Sequence, residues 1–224
     1  MSWKRSPPVV ILSVALCTGF WLRFEAADHA YISQWDEAFH ALVAKNLTDH
    51  PLVPTLYERP LLDYDYREWA SNHIWLHKPP LPLWLMAASI AVAGDGEVHL
   101  RMPAVLLGTL AIFLLFILGG LAWGEPGRWA GALGGLLLAF NPLLIRLTSG
   151  TIPTDHIDAT NVFFGQLAIL LFAAAGLRGH RRYFILAGAS LGLAFLCKSV
   201  ASMIVLPAGL LLAWGGGMRT SVRL

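Results

Sequence analysis

The chain has 224 residues, of which 56% are hydrophobic and 13% are charged, and its mean hydropathy is +0.60. Soluble domains carry about 25% charged residues, so this composition excludes an ordinary cytosolic enzyme. The 16 Lys and Arg exceed the 14 Asp and Glu by a net charge of +2, which is too small for a nucleic-acid-binding protein that neutralises phosphates. The two cysteines, Cys17 and Cys197, lie far apart in apolar segments and support neither a disulfide framework nor a thiolate metal site.

Six apolar segments are predicted to cross the membrane as helices. They lie at residues 7–24, 102–123, 129–147, 160–177, 183–197 and 200–214. A seventh apolar segment, residues 81–94, would reach only about 21 Å, whereas the hydrocarbon core is about 30 Å thick, so we expect it on the outer interface. With Lys4 and Arg5 in the cytoplasm, six spans also place the basic residues at 128, 178–182 and 219–223 there, in agreement with the positive-inside rule. We predict an all-α integral membrane protein with both termini cytoplasmic, formed as one module over residues 1–224.

This topology leaves one large external segment, residues 25–100. It holds nine of the 14 acidic residues up to Glu68, plus Asp95 and Glu97, and it is rich in Trp and Tyr, which favour the membrane interface. Within it, Trp35, Phe39 and Val43 recur at helical spacing. The spacing predicts an amphipathic helix over residues 36–47 that lies along the membrane.

Asp36 and Glu37 open this predicted helix and allow two interpretations. Acids in a first turn complement the helix dipole, and Ser33 to Asp36 matches a capping box. Alternatively, Asp36 is held close to the bilayer and serves as a general base on an acceptor hydroxyl or amine. His40 lies one helical turn further on the same face and is at most an accessory.

The segment His77-Lys78-Pro79-Pro80-Leu81-Pro82 leads into the predicted interfacial helix. Prolines are tolerated in a first helical turn, so Lys78 would stand beside a helix N-terminus. A cation next to free backbone amides suits a lipid phosphate, although a lysine that only snorkels to the interface fits equally well.

Two acids, Asp155 and Asp158, lie in the second external loop. Acids beside membrane helices are costly unless they are solvated, paired or functional. Asp158 is in place to cap the helix that follows, whereas Asp155 has no such structural role. The spacing of Asp155, His156 and Asp158 is unlike an established metal motif.

Lys198 interrupts an apolar stretch between the last two predicted spans. A buried lysine at bilayer depth costs roughly 2.5–3.5 kcal/mol on insertion scales, so we expect an anionic partner for it. Arg101, near the start of the second span, is a further cationic candidate that snorkelling also explains.

At these positions the chain resembles the polytopic GT-C glycosyltransferases, and in particular the family that includes protein O-mannosyltransferases and bacterial lipid A aminoarabinose transferases. The resemblance rests on five ordered pieces. They are residues 35–40 (Trp-Asp-Glu-Ala-Phe-His), 77–84 (His-Lys-Pro-Pro-Leu-Pro-Leu-Trp), 101–104 (Arg-Met-Pro-Ala), the Thr154-Asp155 loop and residues 193–198 (Leu-Ala-Phe-Leu-Cys-Lys).

The resemblance implies transfer of a sugar from a polyprenyl-phosphate donor to an acceptor on the outer membrane face, with inversion at the anomeric carbon. The family's first-loop aspartate maps onto Asp36, with Glu37 beside it, and the second external acid maps onto Asp155, with Asp158 as the competitor. Lys78 and Lys198 would hold the departing lipid phosphate. Some members of the superfamily use a divalent cation and others do not, and the sequence leaves both open. The expected location is the bacterial inner (plasma) membrane.

Two departures from the family's pattern bear on this interpretation. The family usually has glycine after the later lysine, where this chain has Ser199. Members commonly have about twice this length, so we expect that a C-terminal half is absent and that a second polypeptide supplies it. The alternative to an enzyme is a non-catalytic membrane subunit that binds polyprenyl phosphate or a partner protein. A small transporter is disfavoured because the six spans show no repeat symmetry.

Overall fold

The computed structural model describes residues 7–61, 63–152 and 157–221, which form eight α-helices. The helices are α1 (Pro7–Ala27), α2 (Asp36–Asp49), α3 (Leu81–Ala93), α4 (Glu97–Ala139), α5 (Pro142–Thr148), α6 (Asp158–Arg178), α7 (Arg181–Lys198) and α8 (Val205–Ser221). Two 3-10 helices, Trp69–Ser71 and Ser199–Ile204, lie between them. No β-strand forms in these ranges, although Thr55 and Ile74 make an isolated antiparallel bridge. The prediction of an all-α protein is confirmed for this part of the chain.

Helix α1 packs on α4 through one stripe of its surface. The stripe recurs about every four residues and comprises Pro8, Leu12, Ala15, Gly19, Arg23 and Ala27. Small residues at this spacing let two membrane helices approach closely, because no side chain separates the backbones. Arg23 is fully buried here, and its guanidinium donates to the carbonyl oxygens of Leu138 and Ala139 at the end of α4.

Helix α4 is bent into two antiparallel arms. Gly124 has φ 65° and ψ −133°, which are not helical angles, and Pro126 follows it. The arms pack against each other through glycines, since a Cβ atom at Gly119 would overlap the carbonyl oxygen of Gly127, and Gly131 lies against Phe116. Glycine is required at such contacts because any side chain would separate the arms.

The last three helices form a second packed group. Helix α7 runs antiparallel to α6, and Ser190 Oγ donates to the carbonyl oxygen of Phe164 at 2.9 Å. Helix α8 runs parallel to α6, with Gly209 against Phe172 and Gly176 against Ala213.

Four helical stretches in the described residues are long and apolar enough to cross a membrane. They are Pro7–Ala27, Glu97–Ala139, Asp158–Arg178 and Arg181–Gly215. The predicted spans 102–123 and 129–147 correspond to the arms of α4, but the second arm ends at Ala139 because Pro142 begins the separate helix α5. The predicted spans 183–197 and 200–214 fall in the fourth stretch. The helices of these spans are confirmed, and the number of six crossings stays a prediction.

Helices α2 and α3 pack together with the external segment around one hydrophobic cluster. Its buried members are Val43, Ala44, Leu47, Leu56, Trp75, Leu83, Met86, Ala87, Ile90, Leu100 and Ile157. Helix α2 confirms the helix predicted over 36–47. The predicted capping box is wrong, because the N-cap is Trp35 without a side-chain hydrogen bond, and the Ser33 N–H donates to Glu37 Oε2 at 2.6 Å.

Candidate active site

Asp36 and Lys78 form an ion pair at the edge of the cluster just described. Asp36 begins α2, Lys78 lies just before α3, and Asp36 Oδ2 is 3.2 Å from Lys78 Nζ. The Asp36 side chain is 12% exposed and that of Lys78 is 19% exposed, so both are reachable from outside and mostly shielded from water. Partial shielding strengthens the attraction between the charges relative to bulk water. The acid and the cation that the sequence singled out separately are therefore neighbours.

The backbone just before Asp36 is held in an uncommon conformation. Trp35 has φ 67° and ψ −123°, and a non-glycine residue at positive φ costs of order 1–3 kcal/mol. Surrounding contacts must supply this energy for the conformation to persist. Asp36 thus emerges from a backbone turn whose shape depends on its neighbours.

Glu37 and Arg101 form a second ion pair, and this one is buried. Arg101 Nε lies 2.6 Å from Glu37 Oε1, and the two side chains are 1% and 0% exposed, respectively. The other guanidinium nitrogens donate to the carbonyl oxygens of Ala27, His29 and Tyr31. Arg101 therefore ties the segment between α1 and α2 to the start of α4, and this segment ends at Trp35.

Trp75 organises the aromatic surroundings of the Asp36–Lys78 pair. Its ring is buried, stacks on Phe39 at a centroid distance of 5.5 Å, and meets the edges of the His40 and His77 rings at 5.8 and 5.5 Å. His40 is buried, whereas His77 is exposed. The sequence placed Trp75 only among interfacial aromatics. The alternation of His73, Trp75 and His77 is typical of a short extended segment. The sequence does not show which other segment it pairs with, which in the structure is the one at Thr55.

Asp158 and Lys198 form a third ion pair between the start of α6 and the end of α7. Lys198 Nζ lies 2.6 Å from both carboxylate oxygens of Asp158. Ile157, next to Asp158, packs in the same cluster as Val43 and Leu83, so this pair lies at the same end of the bundle as Asp36 and Lys78. The structure thus supplies the anionic partner expected for Lys198.

Ser199 follows this lysine and has φ 54° and ψ −136°. Positive φ favours glycine, because glycine has no Cβ to clash with the backbone. This conformation gives a physical reason for the family's glycine at the position. The 3-10 helix that begins at Ser199 is held by Ser202 Oγ, which donates to the carbonyl oxygen of Ala194 at 2.7 Å.

Asp155, the other acid of the second external loop, lies outside the described residues. In residues 7–61, 63–152 and 157–221, no group of three or more His, Cys, Asp or Glu is arranged to hold a metal ion. Asp36 and Asp158 each face a lysine ammonium, which is a poor neighbour for a cation.

Gly150 is a site-supporting residue that sequence reasoning missed. It has φ 70°, and a Cβ atom there would overlap Glu37 Oε1. Its neighbour Ser149 accepts a hydrogen bond at its carbonyl oxygen from His29 Nε2 at 3.1 Å. The loop after α5 therefore covers the buried Glu37–Arg101 pair. The Ser-Gly dipeptide signals a turn, but sequence spacing does not reveal that Glu37 lies beneath it.

The all-α fold of this chain is shared by solved proteins from two other organisms. In a comparison of folds, the chain is similar to the archaeal oligosaccharyltransferase AglB of Archaeoglobus fulgidus, solved with an inhibitory peptide and a dolichol-phosphate (TM-score 0.65, 18% identity, 92% of this chain and 25% of that one). It is similar also to ArnT of Cupriavidus metallidurans bound to undecaprenyl phosphate (TM-score 0.65, 18% identity, 94% of this chain and 40% of that one).

The sequence comparison specifies the family. Residues 77–224 match the model of the dolichyl-phosphate-mannose-protein mannosyltransferase family, and the chain belongs to that family. It is also 27% identical over 138 residues to YycA of Bacillus subtilis, which is named among the mannosyltransferases. This match covers 62% of the chain and 19% of YycA, so the chain spans about a fifth of that relative's length.

Proposed function

We propose that this chain is the catalytic module of a membrane glycosyltransferase that moves a sugar from a polyprenyl-phosphate donor to an acceptor on the outer membrane face. The observation that carries the proposal is the 3.2 Å contact between Asp36 and Lys78. It brings together a carboxylate and an ammonium at the edge of the helix bundle, to which we assign the roles of base and phosphate-binding cation. A lipid phosphate is already a good leaving group, so these two functions are what the reaction needs.

The proposed reaction is a single displacement. The donor phosphate binds Lys78 and draws the ammonium away from Asp36. The freed carboxylate accepts the proton of the acceptor hydroxyl or amine, whose lone pair forms the new bond to the anomeric carbon. The bond from that carbon to the phosphate oxygen breaks on the opposite face, which inverts the configuration. The released phosphate keeps the electron pair, and Lys78 stabilises its increased charge.

The Asp158–Lys198 pair is proposed to act on the same phosphate. Lys198 would become a second ligand of the lipid phosphate, because it lies at the same end of the bundle and its side chain is 31% exposed. Asp158 neutralises this ammonium until the lipid binds, and Asp155 stays a candidate for the second external acid.

Glu37 and Arg101 are proposed as positioning residues. Both were expected at the site, Glu37 as a catalytic acid and Arg101 in substrate binding. Their burial and mutual contact favour a role in fixing the backbone that presents Asp36. His40 packs against Trp75. We assign substrate contact to His77, which is exposed and next to Lys78 in the chain.

For the membrane arrangement, we propose six crossings, with both arms of α4 and both α7 and α8 as separate spans. The termini are then cytoplasmic and the three ion pairs face outward, as the distribution of Arg residues favours. A bacterial inner membrane fits this orientation.

We propose further that a second polypeptide segment completes the donor groove. The chain covers 40% of ArnT and 25% of AglB, and α8 exposes large apolar residues such as Leu211 and Trp214. The alternative function is that the chain binds polyprenyl phosphate without catalysing transfer.

The test uses purified chain and radiolabelled undecaprenyl-phosphate sugars. Asp36→Asn should reduce sugar release by about 100- to 10,000-fold, the range expected for loss of a general base, while donor binding persists. Asp49→Asn, at the exposed far end of the same helix, is the matched control and should have no effect. Unchanged release in Asp36→Asn would eliminate Asp36 as the base. Binding without release in the unmodified chain would favour the non-catalytic function.

Lys78→Ala should weaken binding of undecaprenyl phosphate about 10- to 100-fold, because a hydrogen bond to a charged group contributes about 1.5–3 kcal/mol. Lys45→Ala, an exposed lysine of α2, is the control. Equal affinity in both variants would remove Lys78 from the phosphate site.

A further inference from the structure

A cavity of about 420 Å³ opens between α4, α6 and α7, at the end of the bundle opposite the candidate active site. Helix α6 runs from Asp158, beside that site, to Arg178, beside the cavity, and its 21 residues extend about 30 Å. The cavity is therefore separated from the Asp36–Lys78 pair by about the thickness of a bilayer core.

The cavity combines an apolar wall with a basic mouth. Phe116, Leu170 and Leu171 line its interior, while Arg128 and Arg178 stand at its edge. Gly120 makes room for Arg128, since a Cβ atom there would be 3.1 Å from Arg128 Cγ. An amphipathic ligand with an apolar tail and an anionic head matches this division.

Tyr183 holds the second arginine at the mouth. Arg178 Nη1 donates to Tyr183 Oη at 2.5 Å, and the Arg178 guanidinium lies 5.4 Å from the centroid of the Tyr183 ring. Arg182 approaches the same ring at 5.1 Å. An ordered guanidinium loses less conformational freedom when it binds a phosphate, and its planar donors suit phosphate oxygens.

The charge around the mouth is strongly positive. Arg178, Arg181 and Arg182 lie within five positions of one another, and Arg128 is across the cavity. The acid that faces them in the described part of α4 is Glu125, which is 3.1 Å from Arg128 and 52% exposed. An exposed carboxylate is a weak competitor for a guanidinium, because solvent screens the pair.

We propose that this cavity binds an anionic phospholipid, with its phosphate on Arg128 and Arg178 and an acyl chain against Phe116, Leu170 and Leu171. The site is distinct from the proposed donor site, so lipid binding there does not depend on sugar transfer. The bound lipid tethers the bundle to the opposite leaflet. The apolar wall favours a lipid over free phosphate.

The experiment measures lipid retention by native mass spectrometry of the full chain in non-ionic detergent, with dioleoyl phosphatidylglycerol against dioleoyl phosphatidylcholine. The unmodified chain should retain phosphatidylglycerol at least about tenfold more strongly, and this preference should fall at high salt because a partly exposed ion pair is screened. Equal retention of the two lipids would overturn the proposal, and this comparison needs no variant.

The double variant Arg128→Gln with Arg178→Gln should lose the preference. Arg67→Gln is the matched control, because Arg67 also stacks on a tyrosine, at 5.5 Å from the Tyr66 centroid, but lies in the external segment. A preference that survives the double variant, or falls equally in the control, would contradict the proposed phosphate contacts. Displacement of phosphatidylglycerol by millimolar inorganic phosphate alone would show a phosphate site and overturn the lipid assignment.

Discussion

Replacing Arg101 with methionine would leave Glu37 as an isolated charge inside the protein. Arg101 Nε lies 2.6 Å from Glu37 Oε1, and the guanidinium also donates to three backbone carbonyl oxygens at distances from 2.5 to 3.0 Å. Methionine fills much of the same volume but supplies none of these hydrogen bonds. Solvent does not replace them, because both side chains of the pair are almost fully buried.

Breaking a buried ion pair by removing one partner costs about 3–5 kcal/mol in the free energy of unfolding. For a chain of this size, each kcal/mol shifts the unfolding temperature by about 2–4 °C, so Arg101→Met should lower it by roughly 6–20 °C. The double variant Glu37→Met with Arg101→Met should recover part of the loss, because no unpaired charge remains. The recovered part measures the coupling between the two residues.

The assay is thermal unfolding of the purified chain in detergent, followed by tryptophan fluorescence and paired with a sugar-release measurement. Lys45→Gln is the matched control. The Lys45–Asp95 pair is as short, at 2.7 Å, and its hydrogen bond raises the pKa of Lys45, but the pair is exposed to solvent. We expect no measurable shift in the unfolding temperature of this variant.

One result would refute the positioning role of Glu37 and Arg101. If Glu37→Gln abolished sugar release while its unfolding temperature and the Arg101→Met temperature stayed at the unmodified value, Glu37 would act in the chemistry. A structural pair instead predicts that stability and activity fall together in the single variants.

Two further predictions follow from the loop over Glu37 and from the Asp158–Lys198 pair. Gly150→Ala should lower the unfolding temperature more than Gly179→Ala; the glycines have φ 70° and 67°, but only the first would place its Cβ against Glu37. Equal shifts would show that the Glu37 contact adds nothing to the backbone strain. For the Asp158–Lys198 pair, Lys198→Met should weaken undecaprenyl phosphate binding about tenfold or more, since a charged contact is lost. Asp158→Asn should leave this affinity equal or make it higher, because the Lys198 ammonium is released. Weakening in both variants, measured by retention of radiolabelled lipid, would indicate that the pair is only structural.

The local structure around Asp36 was largely predictable from the sequence. Apolar spacing located α2 to within two residues of its observed end. The length of the apolar segment 81–94 predicted a short helix, which the structure has as α3. These features depend on periodicity over a few residues, which the sequence displays directly. The capping box failed because the Ser33 N–H donates to Glu37 Oε2, and Arg101 holds the same carboxylate.

The pairing of charges could not be predicted in the same way. The sequence singled out Asp36, Lys78, Lys198 and Asp158 as candidate functional charges. It did not show which acid pairs with which lysine. The partners are widely separated along the chain, by 64 positions for Glu37 and Arg101 and by 40 for Asp158 and Lys198. Contacts at such separations depend on how whole helices pack.

The sequence by itself determined that this is an all-α membrane protein, because hydropathy and the positions of a few charged residues are properties of short segments that a membrane sorts directly. It also determined where α2 and α3 begin. Only the tertiary structure decided that Asp36 contacts Lys78, that Glu37 is buried under Gly150, and that Arg128 and Arg178 line one cavity with apolar residues. The first depends on the packing of α2 against α3, and the other two depend on close backbone approach at glycines and on the bend in α4, which place distant segments side by side.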